Sequence, residues 1–151
     1  MAKRIPFSIV TPERLAWEGE VDSLVVPAQE GSLGILPGHA PLLAQLRPGM
    51  VVIRREGEEP RLLSVSGGFV EVCAGRVSVF AETAEMSDEI DAERARQSLE
   101  KAKAALKHGS DEKRDAAAVA ALERALARLH AYEAASRYRN PRSNAPNKKS
   151  F

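Results

Sequence analysis

Three arginines in the C-terminal half of the sequence have the spacing of an anion-binding site. Arg124 and Arg128 are four residues apart, and Arg94 follows Asp91 by three. In an antiparallel helical hairpin with its turn near residue 109, Arg94 would lie opposite Arg124, so the three guanidinium groups could converge. Guanidinium groups bind phosphates in bidentate fashion, and a carboxylate such as Asp91 can orient them or accept from a base or ribose. The alternative is an ordinary solvated helix with local ion pairs, such as Asp91 with Arg94.

A second candidate is the loop from Glu30 to Leu43, in which three glycines and two prolines alternate with apolar residues. This composition is typical of a stiff loop with a defined shape. One interpretation is a pair of tight turns in which His39 is hydrogen-bonded to the backbone. The other is a docking surface for a partner, because the loop carries apolar side chains at its tip.

The sequence does not have the residue groups that catalysis requires. Its three histidines, His39, His108 and His130, are scattered over a loop, a helix end and a helix, and none has a second metal ligand at a suitable spacing. There is no phosphate-binding P-loop and no glycine-rich dinucleotide motif. Cys73 is the only cysteine, which we interpret as a buried thiol on a strand. We therefore predict a protein that is not an enzyme and has no metal site.

The elements that must position these residues differ between the two halves of the chain. From Ile5 to Thr83, short apolar runs separated by Gly and Pro predict a β-sandwich or barrel. Every second residue is apolar in the last two runs, as a half-buried antiparallel strand requires. The predicted strands are residues 7–10, 21–27, 33–36, 43–46, 51–55, 61–65, 68–72 and 77–81.

From about residue 85 the apolar period becomes helical. The first helix is expected to begin between Ser87 and Asp91 and to end at His108-Gly109, and Ser110 or Asp111 is expected to cap the second. The predicted apolar stripes are Ala95, Leu99, Ala102 and Leu106, and then Val119, Leu122, Leu126 and Leu129. Both stripes are narrow and rich in alanine, so the hairpin should be marginal on its own and needs a surface to pack against.

Charge and hydropathy limit the partners. Lys plus Arg number 22 and Asp plus Glu number 21, so no net field favours nucleic acid. No apolar run approaches the roughly 20 residues of a membrane-spanning helix, and the N-terminus has no signal-peptide pattern, so we expect a cytoplasmic protein without membrane insertion. We predict a β-sandwich domain at residues 1–86, an antiparallel hairpin at 87–136 and a basic disordered tail at 137–151.

Four motifs resemble the epsilon subunit of the F-type (proton-translocating) ATP synthase, bacterial type. The resemblance covers residues 5 to about 136. It implies an α+β protein with a ten-stranded antiparallel β-sandwich followed by a C-terminal helical hairpin, acting as a non-catalytic subunit of the central stalk, or rotor. The motifs are Gly31-Ser32-Leu33-Gly34-Ile35-Leu36-Pro37-Gly38-His39-Ala40-Pro41-Leu42, Leu46-Arg47-Pro48-Gly49, Gly67-Gly68-Phe69-Val70-Glu71-Val72 and Ile90-Asp91-Ala92-Glu93-Arg94-Ala95.

The resemblance also implies partners, a ligand and a location. The partners are the gamma subunit, the membrane rotor ring and the alpha/beta catalytic head, where an extended hairpin blocks ATP hydrolysis. No cofactor is required, and ATP is implied as a regulatory ligand. The expected location is peripheral, on the cytoplasmic side of the plasma (inner) membrane. The matching ATP-binding positions are Glu85, Ile90, Asp91, Arg94, Arg124 and Arg128, and those for docking on the rotor ring or gamma are Ser32, Leu36, His39 and Leu42.

The residues alone also fit another kind of protein. A free-standing β-sandwich adaptor could use the same hairpin as a hook for its partners and act outside any rotary complex. Co-purification would separate the two functions, because a stalk subunit should bring down one large membrane ATPase, whereas an adaptor should bring down several unrelated partners.

Overall fold

The structure is a computed structural model that describes residues 3–108 and 112–139. Within these residues ten strands precede two helices, which confirms the α+β fold class and the ten-stranded sandwich with a hairpin. The strands are β1 (Ile5–Val10), β2 (Leu15–Val21), β3 (Ser23–Ala28), β4 (Gly31–Ile35), β5 (Leu42–Leu46), β6 (Gly49–Arg54), β7 (Arg61–Val65), β8 (Gly68–Cys73), β9 (Arg76–Ala81) and β10 (Ala84–Met86). The helices are α1 (Ala92–Lys107) and α2 (Glu112–Arg139).

The strands form two groups of five. Strands β10, β7, β6, β3 and β4 are neighbours in one group, and β5, β8, β9, β1 and β2 follow one another in the other. The groups join where β3 meets β5, at the single pair Ala28 and Leu46. One pair departs from the predicted antiparallel sandwich, because β1 runs parallel to β9, with Phe7 beside Val77.

Alternate side chains from both groups form the core. The predicted alternation in β8 and β9 is confirmed, since Val70, Val72, Val77 and Val79 are all buried in the main apolar cluster. This cluster consists of residues between Ile5 and Ala84, and none of the described helix residues belongs to it. The sandwich therefore has a core of its own.

Strand β7 is buried on both faces, unlike its neighbours. Leu63 and Val65 point into the core, while Leu62 and Ser64 alternate with them and are 1% and 5% exposed. Helix α2 packs against β6 and β7 and covers this outer face. The hairpin thus rests on the sandwich through α2, and α1 packs on α2.

The ends of the helices follow the predicted signals where the structure describes them. Asp91 is the N-cap of α1 and accepts a hydrogen bond from the backbone N–H of Arg94 at 3.0 Å, as expected. His108 is the C-cap. The predicted caps at residues 110 and 111 lie outside the described residues. Helix α2 continues to Arg139, so residues 137–139 are helical and do not belong to the predicted disordered tail, whose remainder also lies outside the described residues.

Alanine, more than leucine, forms the contacts of the hairpin. Ala95 and Ala102 of α1 are buried, as are Ala118 and Ala125 of α2, whereas Val119, predicted for the apolar stripe, is 42% exposed. Small side chains let the helix backbones approach closely but remove little apolar area from water.

Alanines also form a second buried face on α2. Ala127, Ala131 and Ala135 are spaced by one turn and are all buried. Their face also carries Arg128, which reaches the sandwich. We therefore assign this alanine face to the contact with the sandwich.

Three details of the sequence-based prediction were wrong or incomplete. Cys73 is exposed at the end of β8, because it alternates with the buried Val72 and so faces away from the core. Strands β2 and β10 were not predicted, and the predicted strand 21–27 merged the last residue of β2 with β3.

In the described part of the chain, no helix is both long and apolar enough to cross a bilayer.

Candidate functional site

A cleft of about 640 Å³ lies where the hairpin meets the sandwich, within the ~300–1,000 Å³ range of small-molecule sites. Its sandwich wall comprises the turn between β1 and β2, the end of β7 with the following turn, and β10 with the turn before it. Its hairpin wall comprises Ser98 of α1 and Ala121, Arg124 and Arg128 of α2. A ligand in the cleft would therefore touch both domains.

Glu85 and Arg128 join the two walls. The Nε of Arg128 donates to one carboxylate oxygen of Glu85 at 2.8 Å, and its Nη2 donates to the other at 3.1 Å. Strand β10 fixes Glu85 through its register beside Ser64 of β7, while α2 presents Arg128. Both side chains are about three-quarters buried, at 31% and 24% exposure. This bidentate pair is a polar contact between hairpin and sandwich.

Arg124 lies one turn before Arg128 and lines the same cleft. Arg124 is exposed, and no carboxylate of the described residues lies within ion-pairing distance of it. Of the three arginines that were expected to converge, Arg124 and Arg128 line this cleft together with Glu85, and Arg94 does not.

The three remaining predicted ATP-binding residues are placed differently. Asp91 is engaged in capping α1, and Ile90 is buried at 6% exposure. Arg94 is exposed on α1 and, in this structure, is not among the residues that line the cleft. Helix α1 reaches the cleft through Ser98, one turn further along.

Arg14, which sequence reasoning missed, lines the cleft from the sandwich side. It lies in the turn between β1 and β2, where the Thr11 hydroxyl accepts from its backbone N–H at 3.1 Å. The Arg14 Nη2 donates to the carbonyl of Ala84 at 3.2 Å and lies 3.5 Å from a carboxylate oxygen of Glu89. No local sequence pattern indicates this position, because its contacts lie about 70 residues away along the chain.

The predicted docking residues lie on β4, β5 and the loop between them. The Leu36 carbonyl accepts from the His39 N–H at 3.1 Å, and the His39 Nδ1 lies 2.7 Å from the Ala40 carbonyl. The tight turn with His39 bonded to the backbone is thus confirmed. Leu36 is 63% exposed, Ser32 is also exposed, and Leu42 is half-buried against the core. The loop therefore holds an apolar tip in water.

Among the residues that the structure describes, no three His, Cys, Asp or Glu side chains are grouped as a metal site would require. What the geometry offers is binding: an arginine-containing cleft at a domain contact and a stiff apolar loop. The fold and these sites define a β-sandwich protein with a helical hairpin docked on one face.

Comparisons with known proteins agree with this class. Residues 4–87 match the family model for the β-sandwich domain of the ATP synthase delta/epsilon chain, and residues 88–133 match the model for its long α-helix domain. The ATP synthase epsilon chain of Moorella thermoacetica is 45% identical over 123 residues, covering 82% of this chain and 92% of its own. That of Desulforamulus reducens is 41% identical over 133 residues, covering 88% of this chain and 100% of its own.

Solved structures show the same fold. A chain in the Euglena gracilis mitochondrial ATP synthase (OSCP/F1/c-ring) matches with a TM-score of 0.74 and 28% identity, covering 88% of this chain and 81% of that one. A chain in the central stalk/c-ring structure of the Tetrahymena thermophila enzyme matches in fold, with a TM-score of 0.56 at 16% identity. This chain belongs to the delta/epsilon chain family of ATP synthase, as the four motifs predicted.

Proposed function

We propose that this chain is the epsilon subunit of a bacterial ATP synthase, a non-catalytic part of the central stalk. There it couples the alpha/beta catalytic head and gamma to the proton-driven rotor ring, on the cytoplasmic side of the plasma membrane. Support comes from the match of both domains to one family and from relatives named ATP synthase epsilon chain at 41–45% identity. The Euglena neighbour, at 28% identity, is a chain of an F1/c-ring complex. The family assignment favours this function over a free-standing adaptor.

We further propose that the hairpin is a regulatory arm that leaves the sandwich and blocks ATP hydrolysis in the catalytic head. The observation that carries this proposal is the kind of contact that α2 makes with the sandwich. It comprises an alanine face, which covers Leu62 on the outer side of β7, and the Arg128–Glu85 ion pair, while the main apolar cluster of the sandwich includes no helix residue among those described. Release of the hairpin therefore leaves a folded sandwich on the stalk.

The experiment compares ATP hydrolysis by an epsilon-depleted catalytic core after adding the full chain or residues 1–88. The shorter protein must include β10, because Ala84 belongs to the core and β10 pairs with β7. We expect both proteins to bind the core and only the full chain to slow hydrolysis. Equal inhibition by residues 1–88 would assign the effect to the sandwich. If neither protein slows ATP hydrolysis, the proposal that the hairpin is an inhibitory arm is refuted.

ATP is the regulatory ligand that we propose for the cleft, where it would hold the hairpin docked. Support comes from the two neighbouring guanidinium groups, Arg124 and Arg128, beside the carboxylate of Glu85. The test is calorimetry on the full chain with ATP up to the millimolar range, with Arg124→Ala as the variant. Absence of heat from the wild-type chain at millimolar ATP would remove this ligand.

The loop between β4 and β5 is the surface that we propose for docking on the rotor ring. Its support is the apolar tip at Leu36, held by the backbone-bonded turn at His39. Leu36→Glu should weaken assembly with the membrane ring while leaving thermal unfolding unchanged, because the side chain already lies in water. Val119→Glu, at an exposed apolar position on α2, is the control. Normal assembly of Leu36→Glu would count against this surface.

A further inference from the structure

Arg14 lines the cleft from the sandwich side, whereas Arg124 and Arg128 line it from the hairpin side. It belongs to the turn between β1 and β2, whereas the other two belong to α2. The cleft thus has guanidinium groups on both of the domains that it separates. An ordinary surface arginine, in contrast, faces only solvent.

Much of the hydrogen-bonding capacity of Arg14 is unused within the protein. Of its five N–H donors, those on Nη2 face the Ala84 carbonyl and the Glu89 carboxylate. Its Nε and Nη1 groups donate to no acceptor among the described residues. The side chain is 52% exposed, so it can turn toward a ligand without unfolding its surroundings.

Other groups on the walls suit a polar ligand. Ser66 and Thr83 bring hydroxyl groups to the sandwich side. The hydroxyls of Thr11 and Ser98 also line the cleft, but each already donates to a backbone carbonyl. Phosphate oxygens accept from both hydroxyl and guanidinium donors, and arginine binds them in fork geometry. Arg128 is already paired with Glu85, which leaves Arg14 and Arg124 as the cations more open to an added anion.

We propose that Arg14 is the sandwich-side ligand for the phosphate groups of a nucleotide bound in the cleft. This inference rests on the proposed binding of ATP. A phosphate chain held by Arg14 on one wall and Arg124 on the other bridges the sandwich and α2. Ligand that binds the docked state alone stabilises that state by mass action. Arg14 is thus the residue through which the nucleotide keeps the hairpin docked.

The test is calorimetry of the full chain with ATP, and with tripolyphosphate to isolate the phosphate contact. Arg14→Ala should weaken ATP binding about tenfold or more, the loss expected for a charge-assisted contact, and Arg14→Lys should restore part of the affinity. The control is Arg76→Ala, an exposed arginine at the start of β9 that does not line the cleft. It should bind ATP like the wild type.

Glu89→Gln separates direct contact from a structural effect of the Arg14–Glu89 pair. The variant weakens that pair, yet its side-chain oxygen can still accept from the Met86 N–H, as Glu89 does at 3.2 Å. If Arg14 binds phosphate, Glu89→Gln should bind ATP as tightly as the wild type or more tightly, because the competing carboxylate is gone. If Arg14 acts only through the pair, both variants should lose affinity together.

The outcomes distinguish this inference from the function on which it rests. Wild-type chain without measurable ATP binding would remove the nucleotide proposal as a whole. Wild-type binding with unchanged affinity in Arg14→Ala, or parallel losses in Arg14→Ala and Glu89→Gln, would overturn the role of Arg14 alone. If Arg14→Ala also binds tripolyphosphate more weakly than the wild type, the result would support a contact between Arg14 and the phosphate groups instead of the base.

Discussion

Removal of the Arg128 guanidinium should release the hairpin from the sandwich. In Arg128→Ala, the carboxylate of Glu85 loses the two hydrogen bonds that it accepts from Nε and Nη2 of Arg128, at 2.8 and 3.1 Å. Hydrogen bonds to charged groups contribute about 1.5–3 kcal/mol when shielded, and exposed pairs contribute about 0–1 kcal/mol. The pair lies between these limits, at 24% and 31% exposure. We expect a loss of about 1–2 kcal/mol in docking free energy, a roughly 5- to 30-fold shift toward the undocked state.

Hydrogen–deuterium exchange measures this shift without any partner or nucleotide. Backbone amides of α1 and α2 should exchange faster in Arg128→Ala, while those of β8 and β9 should be unchanged, because the sandwich has its own core. The control is Arg96→Ala, whose ion pair with Glu93 on α1 is 3.9 Å long and mostly exposed. This control should exchange like the wild type.

Exchange in Arg128→Ala that matches Arg96→Ala would refute the role of the pair as a docking contact. The charge reversal Glu85→Arg with Arg128→Glu gives an independent test, because it keeps an ion pair at the same place. Slow exchange should return in the double variant and be lost in each single variant. If neither single variant exchanges faster than the wild type, α2 is held without a contribution from this ion pair.

Three further predictions concern stability. Leu62→Ala should lower the free energy of unfolding by about 2–4 kcal/mol in the full chain, where α2 covers this side chain. In residues 1–88, which lack α2, the loss should be less than about 1 kcal/mol. Equal losses in denaturant unfolding of the two proteins would contradict the packing of α2 on Leu62. Gly68→Ala should cost at least about 3 kcal/mol by thermal unfolding, because the added Cβ would lie 1.9 Å from the Phe80 carbonyl oxygen at a φ of +127°, while Gly57→Ala, at +79° in open space, should cost about 1–2 kcal/mol. Asp91→Ala should cost about 1 kcal/mol and lower the helical circular dichroism signal, since the cap of α1 is lost; an unchanged signal would argue that the cap is dispensable.

The strands that the sequence predicted are short apolar runs bounded by Gly or Pro, and alternation is clear only in β8 and β9. Strand β2 was not predicted, because it is an edge strand whose sequence, Leu-Ala-Trp-Glu-Gly-Glu-Val, combines an exposed leucine with two glutamates and a glycine. Strand β10 has three residues, too few to show a period. Strand β7, with the sequence Leu-Leu-Ser-Val, lacks the apolar-polar alternation of a half-buried strand, and the structure shows α2 on its outer side.

Residue spacing predicted the site only where its residues share one element, whereas Glu85 on β10 was implied by the family resemblance. Arg124 and Arg128 are one helical turn apart, so their proximity follows from the helix period. Arg94 was assigned from a symmetric pairing about the turn of the hairpin, which does not fix which way each side chain points. Arg14 depends on a tertiary contact between the turn after β1 and β10, and no spacing rule reaches that far.

The parallel pairing of β1 with β9 has a consequence for the synthesis of this protein. Phe7 leaves the ribosome long before Val77, its neighbour on β9, which is 70 residues further along the chain. Until β9 emerges, the first strand has β2 as its one available neighbour, and its other edge stays unpaired. Unpaired edges on nascent chains are prone to aggregation, and distant pairings form slowly. The sandwich therefore closes late in translation, and its most vulnerable interval falls before the hairpin has been made.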